Sequence, residues 1–193
     1  MSIRALRNGL VLAAVAAAAT LVMPVSAQTA KESFTGFAIN MNSGPKTGTI
    51  DFTIERWSTD AERDQLLSII TEKKDPTEPL LKALQKMPKV GRIRTPTTLG
   101  WDLHYARQFK DEDGGGRRIV LATDRPIAFV EARNNTRTMD YPFTLIEMRL
   151  NAEDKGEGKI LAGTKIFVDK KKNIVLENYA QQPVRFNEIH KVK

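Results

Sequence analysis

Cysteine is absent from the 193-residue chain, which excludes disulfide staples, a thiolate nucleophile, cysteine-ligated metal centres and lipoprotein acylation. Histidine is almost absent too. A zinc-type site would need both His104 and His190 together with a carboxylate, so no metal is expected. No Gly-x-Ser-x-Gly elbow, HExxH pair, phosphate-cradling glycine loop or dinucleotide fingerprint occurs. The usual hydrolase, metalloprotease and nucleotide-binding signatures are therefore missing, and no cofactor is expected. The net charge of +7 at pH 7 is modest and interspersed with acids, which argues against a nucleic-acid footprint. Aromatics are missing locally: all 13 lie outside Ser58–Gly100.

The N-terminal segment reads as an export signal. Arg4 and Arg7 precede an alanine-rich apolar stretch, Gly9–Met23, and Val25-Ser26-Ala27 has the small residues of a cleavage site. The expectation is a signal peptide at residues 1–27 and one β-rich domain at 28–193, periplasmic or secreted. An uncleaved membrane anchor is the alternative reading of the same segment. Both arginines of the signal lie outside 28–193, so the charge of that part falls to +5. A chain of 166 residues is long enough for a real core, and without disulfides it is held by packing alone.

Two-residue periodicity dominates. In Gly100–Asp124 (GWDLHYARQFKDEDGGGRRIVLATD), Trp101, Leu103, Tyr105, Arg107 and Phe109 alternate with Asp102, His104, Ala106, Gln108 and Lys110. Asp111–Gly116 supplies turn chemistry, and RRIVLATD reads as the returning strand. Ser33–Met41 and Thr47–Trp57 form a second predicted hairpin, with Ile50, Phe52 and Ile54 on one face. Further strands are expected at Val90–Thr95, Ile127–Arg133, Phe143–Leu150, Lys159–Asp169, Asn173–Tyr179 and Pro183–Val192.

Between about 58 and 88 the pattern is helical. Thr59-Asp60-Ala61-Glu62 has capping-box spacing before Leu66, Leu67, Ile69 and Ile70, and Thr77-Glu78-Pro79 starts a second helix carrying Leu80, Leu81, Leu84 and Met87. The predicted fold class is mainly β: an antiparallel barrel or curved sandwich of about 8–10 strands with an inserted helical hairpin covering one end or face.

Several local features have ordinary readings. Asp111-Glu112-Asp113-Gly114 offers clustered carboxylates but lacks the spacing and closing Glu of a calcium loop, so it reads as a solvated turn. Lys170-Lys171-Lys172 reads as a solvated hairpin tip, its sharper reading being contact with anionic lipid headgroups. Asn134-Asn135-Thr136 fits a glycosylation sequon that a bacterial-looking chain would leave unmodified.

The sharper candidates are polar residues on apolar-looking strand faces. If these faces line a barrel, Arg107 and Glu147 are buried charges of the kind that line ligand cavities. If they face solvent, they are surface residues, and an Arg107–Glu147 or Arg107–Asp140 brace is a third reading. The candidate ligand-binding set is Trp101, Tyr105 and Arg107, with Arg133 and Glu147. The aromatics would supply contact area and Arg107 an anchor for a carboxylate or phosphate.

The phrases ERWSTDAERD (55–64), RTPTTLGWDLHYAR (94–107), ATDRPI (122–127), MDYPFTLIE (139–147) and ENY (177–179) resemble a group of exported bacterial proteins without an established activity. That resemblance implies a bacterial exported domain and carries over no site residue.

The leading functional expectation is an exported non-enzymatic binding module for a small amphipathic ligand or a cell-envelope partner. One alternative is a barrel enzyme using carboxylate or tyrosine acid–base chemistry, with Asp102, Asp124, Asp140 and Glu147 as its conceivable carboxylates. The other is a structural or assembly protein that presents a strand edge or the helical hairpin.

Overall fold

A computed structural model describes residues 31–40, 46–110, 115–125, 127, 142–168, 174–178 and 184–192. The expected signal segment, the acidic turn at 111–114, the sequon and Lys170–Lys172 lie outside the described residues, as does all but Ile127 of the strand expected at 127–133.

The strands are β1 (Glu32–Asn40), β2 (Lys46–Ile54), β3 (Gly91–Arg94), β4 (Trp101–Leu103), β5 (Tyr105–Lys110), β6 (Arg117–Thr123), β7 (Phe143–Leu150), β8 (Lys155–Val168), β9 (Ile174–Asn178) and β10 (Val184–Val192). Two helices, α1 (Asp60–Glu72) and α2 (Thr77–Lys86), sit between β2 and β3. All pairings are antiparallel, in the order β4-β3-β2-β1-β10-β8-β7-β6-β5, with β9 added to β8. The two ends of this order, β4 and β5, are consecutive in the chain, so the sheet curls into a nearly closed barrel. The expected mainly β antiparallel architecture with a helical hairpin is what the chain adopts.

Alternation decides what lies inside. Ile50, Phe52 and Ile54 of β2 are all buried, as are Ile146, Met148 and Leu150 of β7. Together with Phe34 and Phe186 they fill the barrel, and Phe52 meets Phe186 edge-on at 4.8 Å between ring centroids. Gly36 allows that packing: a Cβ there would lie 2.9 Å from the Asn187 carbonyl oxygen and 3.0 Å from Phe186 Cζ.

The expectation of one uninterrupted strand from Trp101 to Lys110 requires correction. Leu103 and Ala106 are both fully buried in the barrel core, although a regular strand would put residues three apart on opposite faces. His104 bends the chain between them. Its N–H donates to the Ala122 carbonyl at 3.0 Å, while Val90 N–H donates to the Leu103 carbonyl at 2.8 Å. One residue thus carries the chain from one edge of the barrel to the other. Trp101 and Leu103 do not share a face with Tyr105, Arg107 and Phe109.

The free edge of β5 is met by Ser58. Ser58 N–H donates to the Ala106 carbonyl at 2.8 Å, and Ala106 N–H donates to Ser58 Oγ at 3.1 Å. From there α1 begins with the predicted capping box: Glu62 N–H donates to Thr59 Oγ1 at 3.2 Å, and Thr59 N–H donates to Glu62 Oε2 at 2.8 Å. The helical hairpin covers the outer sheet face. Leu66, Ile70, Leu80 and Leu84 pack there with Ala122 and Phe143 in a second core. Leu67, read as part of the apolar side of α1, is 41% exposed.

Glu62 also receives both terminal nitrogens of Arg56, at 2.7 and 3.0 Å. The Arg56 guanidinium holds the Glu62 carboxyl below its ordinary value of 4.5, as Arg107 holds Asp60 below 3.8. Both shifts are downward, so the stabilisation is complete above those ordinary values and is lost as pH falls through the depressed ones. Glu62→Gln is expected to cost about 1–2 kcal/mol at pH 7, because both the cap and the ion pair suffer. The difference from wild type should shrink as pH falls below 4.5, which urea melts at a series of pH values would check.

Candidate functional site: a charged groove on the outer sheet face

The candidate residues are not gathered in one place. Trp101 is half-buried against the barrel core, opposite Ile93 on β3. Tyr105 lies on the other face of the sheet, packed like Ile69, Leu81 and Leu145 against the second core, and burial raises its phenol pKa. Arg107 braces the start of α1, donating to the Ser58 carbonyl at 3.1 Å and to Asp60 Oδ1 at 2.6 Å. Arg133 and Asp140 lie outside the described residues. Glu147 is on the outer face of β7, accepting from Arg149 Nε at 3.3 Å and lying 3.8 Å from Arg118 Nη1.

The proposed Arg107–Glu147 brace fails for a geometric reason. Arg107 is opposite Val120, and Val120 is opposite Glu147, so two strand spacings, roughly 10 Å, separate them. Both side chains point away from the packed interior. Neither charge lies inside the barrel: Glu147 is open to water, and Arg107 is largely covered by its contacts with Ser58 and Asp60.

The conceivable acid–base carboxylates among the described residues, Asp102, Asp124 and Glu147, each lie beside a cation. Burial pushes the Asp102 carboxyl up, but Lys89 at 3.3 Å and Arg92 at 3.3 Å outweigh it and leave it below the usual range. Asp124 lies 3.7 Å from His104 Nε2 and 3.3 Å from Arg125 Nε. His104 Nδ1 is 3.0 Å from the Met87 carbonyl, an acceptor to which it donates, and Nε2 faces Asp124. His190 is exposed on β10, its Nδ1 beside the Glu188 carbonyl at 3.0 Å. Among the described residues no three of His, Asp and Glu converge as metal ligands.

Strand register does bring charged residues together. The pairings run in one outer-face row: Ile39 (β1) opposite Arg185 (β10), Arg185 opposite Lys159 (β8), Lys159 opposite Glu147 (β7). Arg149 opposes Glu157 one step along, with Arg118 beyond it on β6. Glu147, Arg149, Glu157, Lys159, Arg185 and Asn187 line a groove of about 450 Å³.

An irregularity in β10 shapes one wall. Phe186 and Ile189 are both buried in the barrel core though three residues apart, and the register shifts between Asn187 and His190 against β1 and between Phe186 and Ile189 against β8. Glu188 has φ of 53°, a left-handed conformation that non-glycine residues seldom adopt. This bulge keeps Ile189 inside while leaving Asn187 on the groove wall. Phe37, 48% exposed, stands directly opposite Asn187.

Of the described members of the expected set, Glu147 alone lines this groove. Lys159, Arg185, Asn187, Phe37 and Ile39 escaped sequence reading because each is an ordinary outward-facing position on its own strand. Their convergence depends on β1 lying beside β10 and β10 beside β8, pairings between segments distant in the chain. The alternation of Val184, Arg185 and Phe186 is the sole local signal, and it says no more than that Arg185 faces outward. Comparison with family models, curated proteins and solved structures gives no match for this chain.

Proposed function

We propose that this chain is an exported, non-enzymatic binding module that holds a small amphipathic ligand in the outer groove formed by β7, β8 and β10. The observation that carries the reading is the row Ile39–Arg185–Lys159–Glu147, which sets an apolar end against adjacent cations beside a concavity of about 450 Å³. That size is within the range of small-molecule sites. The barrel interior is filled by Phe34, Phe52, Phe186 and their neighbours, so the ligand is assigned to the outside of the sheet rather than to a central cavity. A cell-envelope partner bearing the same chemistry would use the same face.

Native mass spectrometry of the protein purified from its own host tests this reading. The expected result is an excess mass that disappears on denaturation and is absent from the Arg185→Glu variant. Wild-type protein with no excess mass and no uptake of added amphiphiles would overturn it, as would a bound molecule retained in full by the variant.

A further inference from the structure

We infer that the polar end of the ligand is an oxyanion, a phosphate or carboxylate, seated between Lys159 and Arg185 and reached by the Asn187 amide, with its apolar body running along Ile39 and Phe37. This inference rests on the groove being a binding site and adds what the groove recognises.

The first support is an imbalance of charge. Lys159 and Arg185 are directly opposed across β8 and β10, a placement in which like charges repel. Glu147 is opposed to Lys159 from the other side, yet its carboxylate is engaged by Arg149 at 3.3 Å and approached by Arg118 at 3.8 Å. Among the described residues no carboxylate lies within salt-bridge distance of Lys159 or Arg185. Glu147 and Glu157 line the same groove, but among the described residues neither is ion-paired to Lys159 or Arg185. An oxyanion would relieve the repulsion, and a guanidinium binds a carboxylate or phosphate through two parallel hydrogen bonds.

The second support is the β10 bulge. Bulges re-aim side chains and concentrate where a strand serves a site, and the left-handed Glu188 is a strained conformation of the kind held at ligand clamps. Here the bulge sets Asn187, a neutral donor, beside the cation pair on the same wall.

The third support is apolar. Phe37 opposes Asn187 and Ile39 opposes Arg185 on the same face, so hydrocarbon surface begins where the cations end. Nearly half of Phe37 is open to water. A ligand with a charged head and a short hydrocarbon body matches that order of residues; a purely polar anion leaves the aromatic unused.

Isothermal titration with three surfactants of equal chain length, each kept below its micelle concentration, tests the inference: dodecyl phosphate, laurate and the uncharged dodecyl maltoside. Inorganic phosphate serves as a headgroup without a chain. Both anionic surfactants are expected to bind at least tenfold more tightly than the maltoside, and whichever is tighter identifies the head. Arg185→Glu should reduce that preference to threefold or less. Phe37→Ala should weaken all three surfactants alike and leave inorganic phosphate unaffected. Arg185→Glu replaces a repulsive pair by an attractive one with Lys159, so its melting temperature should not fall and a binding loss is not a folding loss.

Equal affinity for charged and uncharged surfactants would overturn the oxyanion inference while leaving the groove as a binding site. An anionic preference that survives in both Arg185→Glu and Lys159→Glu would also overturn it, placing the recognition elsewhere. No binding of any surfactant, with no copurifying molecule, would overturn the inference and the functional reading together.

Discussion

Phe186→Ala is expected to destabilise the protein by about 3–5 kcal/mol, the range for removing a buried aromatic ring from a core that cannot collapse around the gap. Phe186 is fully buried on β10, with its ring edge-on to Phe52 of β2. The strand between them, β1, is anchored on both sides: it pairs with β2 along its whole length and with β10 from Ser33 to Ile39. Backbone movement to fill the void would have to break one of these ladders. The backbone of Gly36 already lies close to the ring and carries no side chain to swing inward. Chemical denaturation followed by tryptophan fluorescence would check the loss, since Trp57 belongs to the same core and Trp101 packs on it. A cost under about 1.5 kcal/mol, the scale of a volume-conserving swap, would mean that the core around Phe186 is not packed as described.

The second large effect is expected at Arg117, which ties one end of the barrel together. Its guanidinium donates to both oxygens of Glu32, at 2.6 and 3.3 Å, to Asp154 Oδ1 at 2.8 Å and to Gln108 Oε1 at 2.8 Å. It also lies 5.5 Å above the Phe34 ring, which adds a cation–π contribution. Lys191 reaches Glu32 at 3.2 Å from β10. The Glu32 side chain is only 9% exposed, so it cannot recover in water what it would lose. Burial lowers the Arg117 pKa, and its bonds to Glu32 and Asp154 reverse this, so it is held above its ordinary value. Arg117→Met should cost about 2–3 kcal/mol, somewhat below a fully buried pair because Arg117 keeps partial access to water.

The double variant Glu32→Met with Arg117→Met distinguishes the cause. Once both charges are gone, the nearly buried Glu32 carboxylate no longer stands without its partner, Asp154 keeps only Lys191 at 3.8 Å, and the part of the loss due to Glu32 should be recovered. Melting curves of the two single variants and the double variant form the required cycle. Additive losses would mean that the two side chains stabilise the barrel independently.

Local sequence revealed the parts of the fold that local physics determines. The β2 strand was readable because Ile50, Phe52 and Ile54 alternate with polar residues without interruption, and α1 because Thr59 and Glu62 sit at the spacing that satisfies each other's backbone. The helical insert was readable from an absence of aromatics. What escaped was every place where the chain leaves its period. His104 reverses the facing of the residues beyond it, and a two-residue periodicity gives no notice of a one-residue bend. The β10 bulge is equally silent: Asn187 and Glu188 look like ordinary alternation until Phe186 and Ile189 are both found inside.

The site was less legible still. Trp101, Tyr105 and Arg107 were grouped by an alternation that His104 breaks, and the structure gives them three separate duties. Long-range partners decided the rest. Nothing near Arg117 in sequence predicts Glu32, 85 positions away, and nothing near Arg107 predicts Asp60.

The neighbouring of β1 and β10 bears on when this protein becomes a protein. Phe34 and Phe52 appear early in the chain, yet the ring that completes their packing is at residue 186. Until β10 emerges, β1 and β8 each present an unsatisfied edge, and the hydrocarbon they carry faces water. Folding therefore waits on the last strand: contacts so distant in sequence form slowly, and the barrel cannot close one hairpin at a time from the N-terminal side. A synthesis product that stops before Val184 would expose two sticky strand edges rather than a smaller folded unit, and its fate would be aggregation or proteolysis.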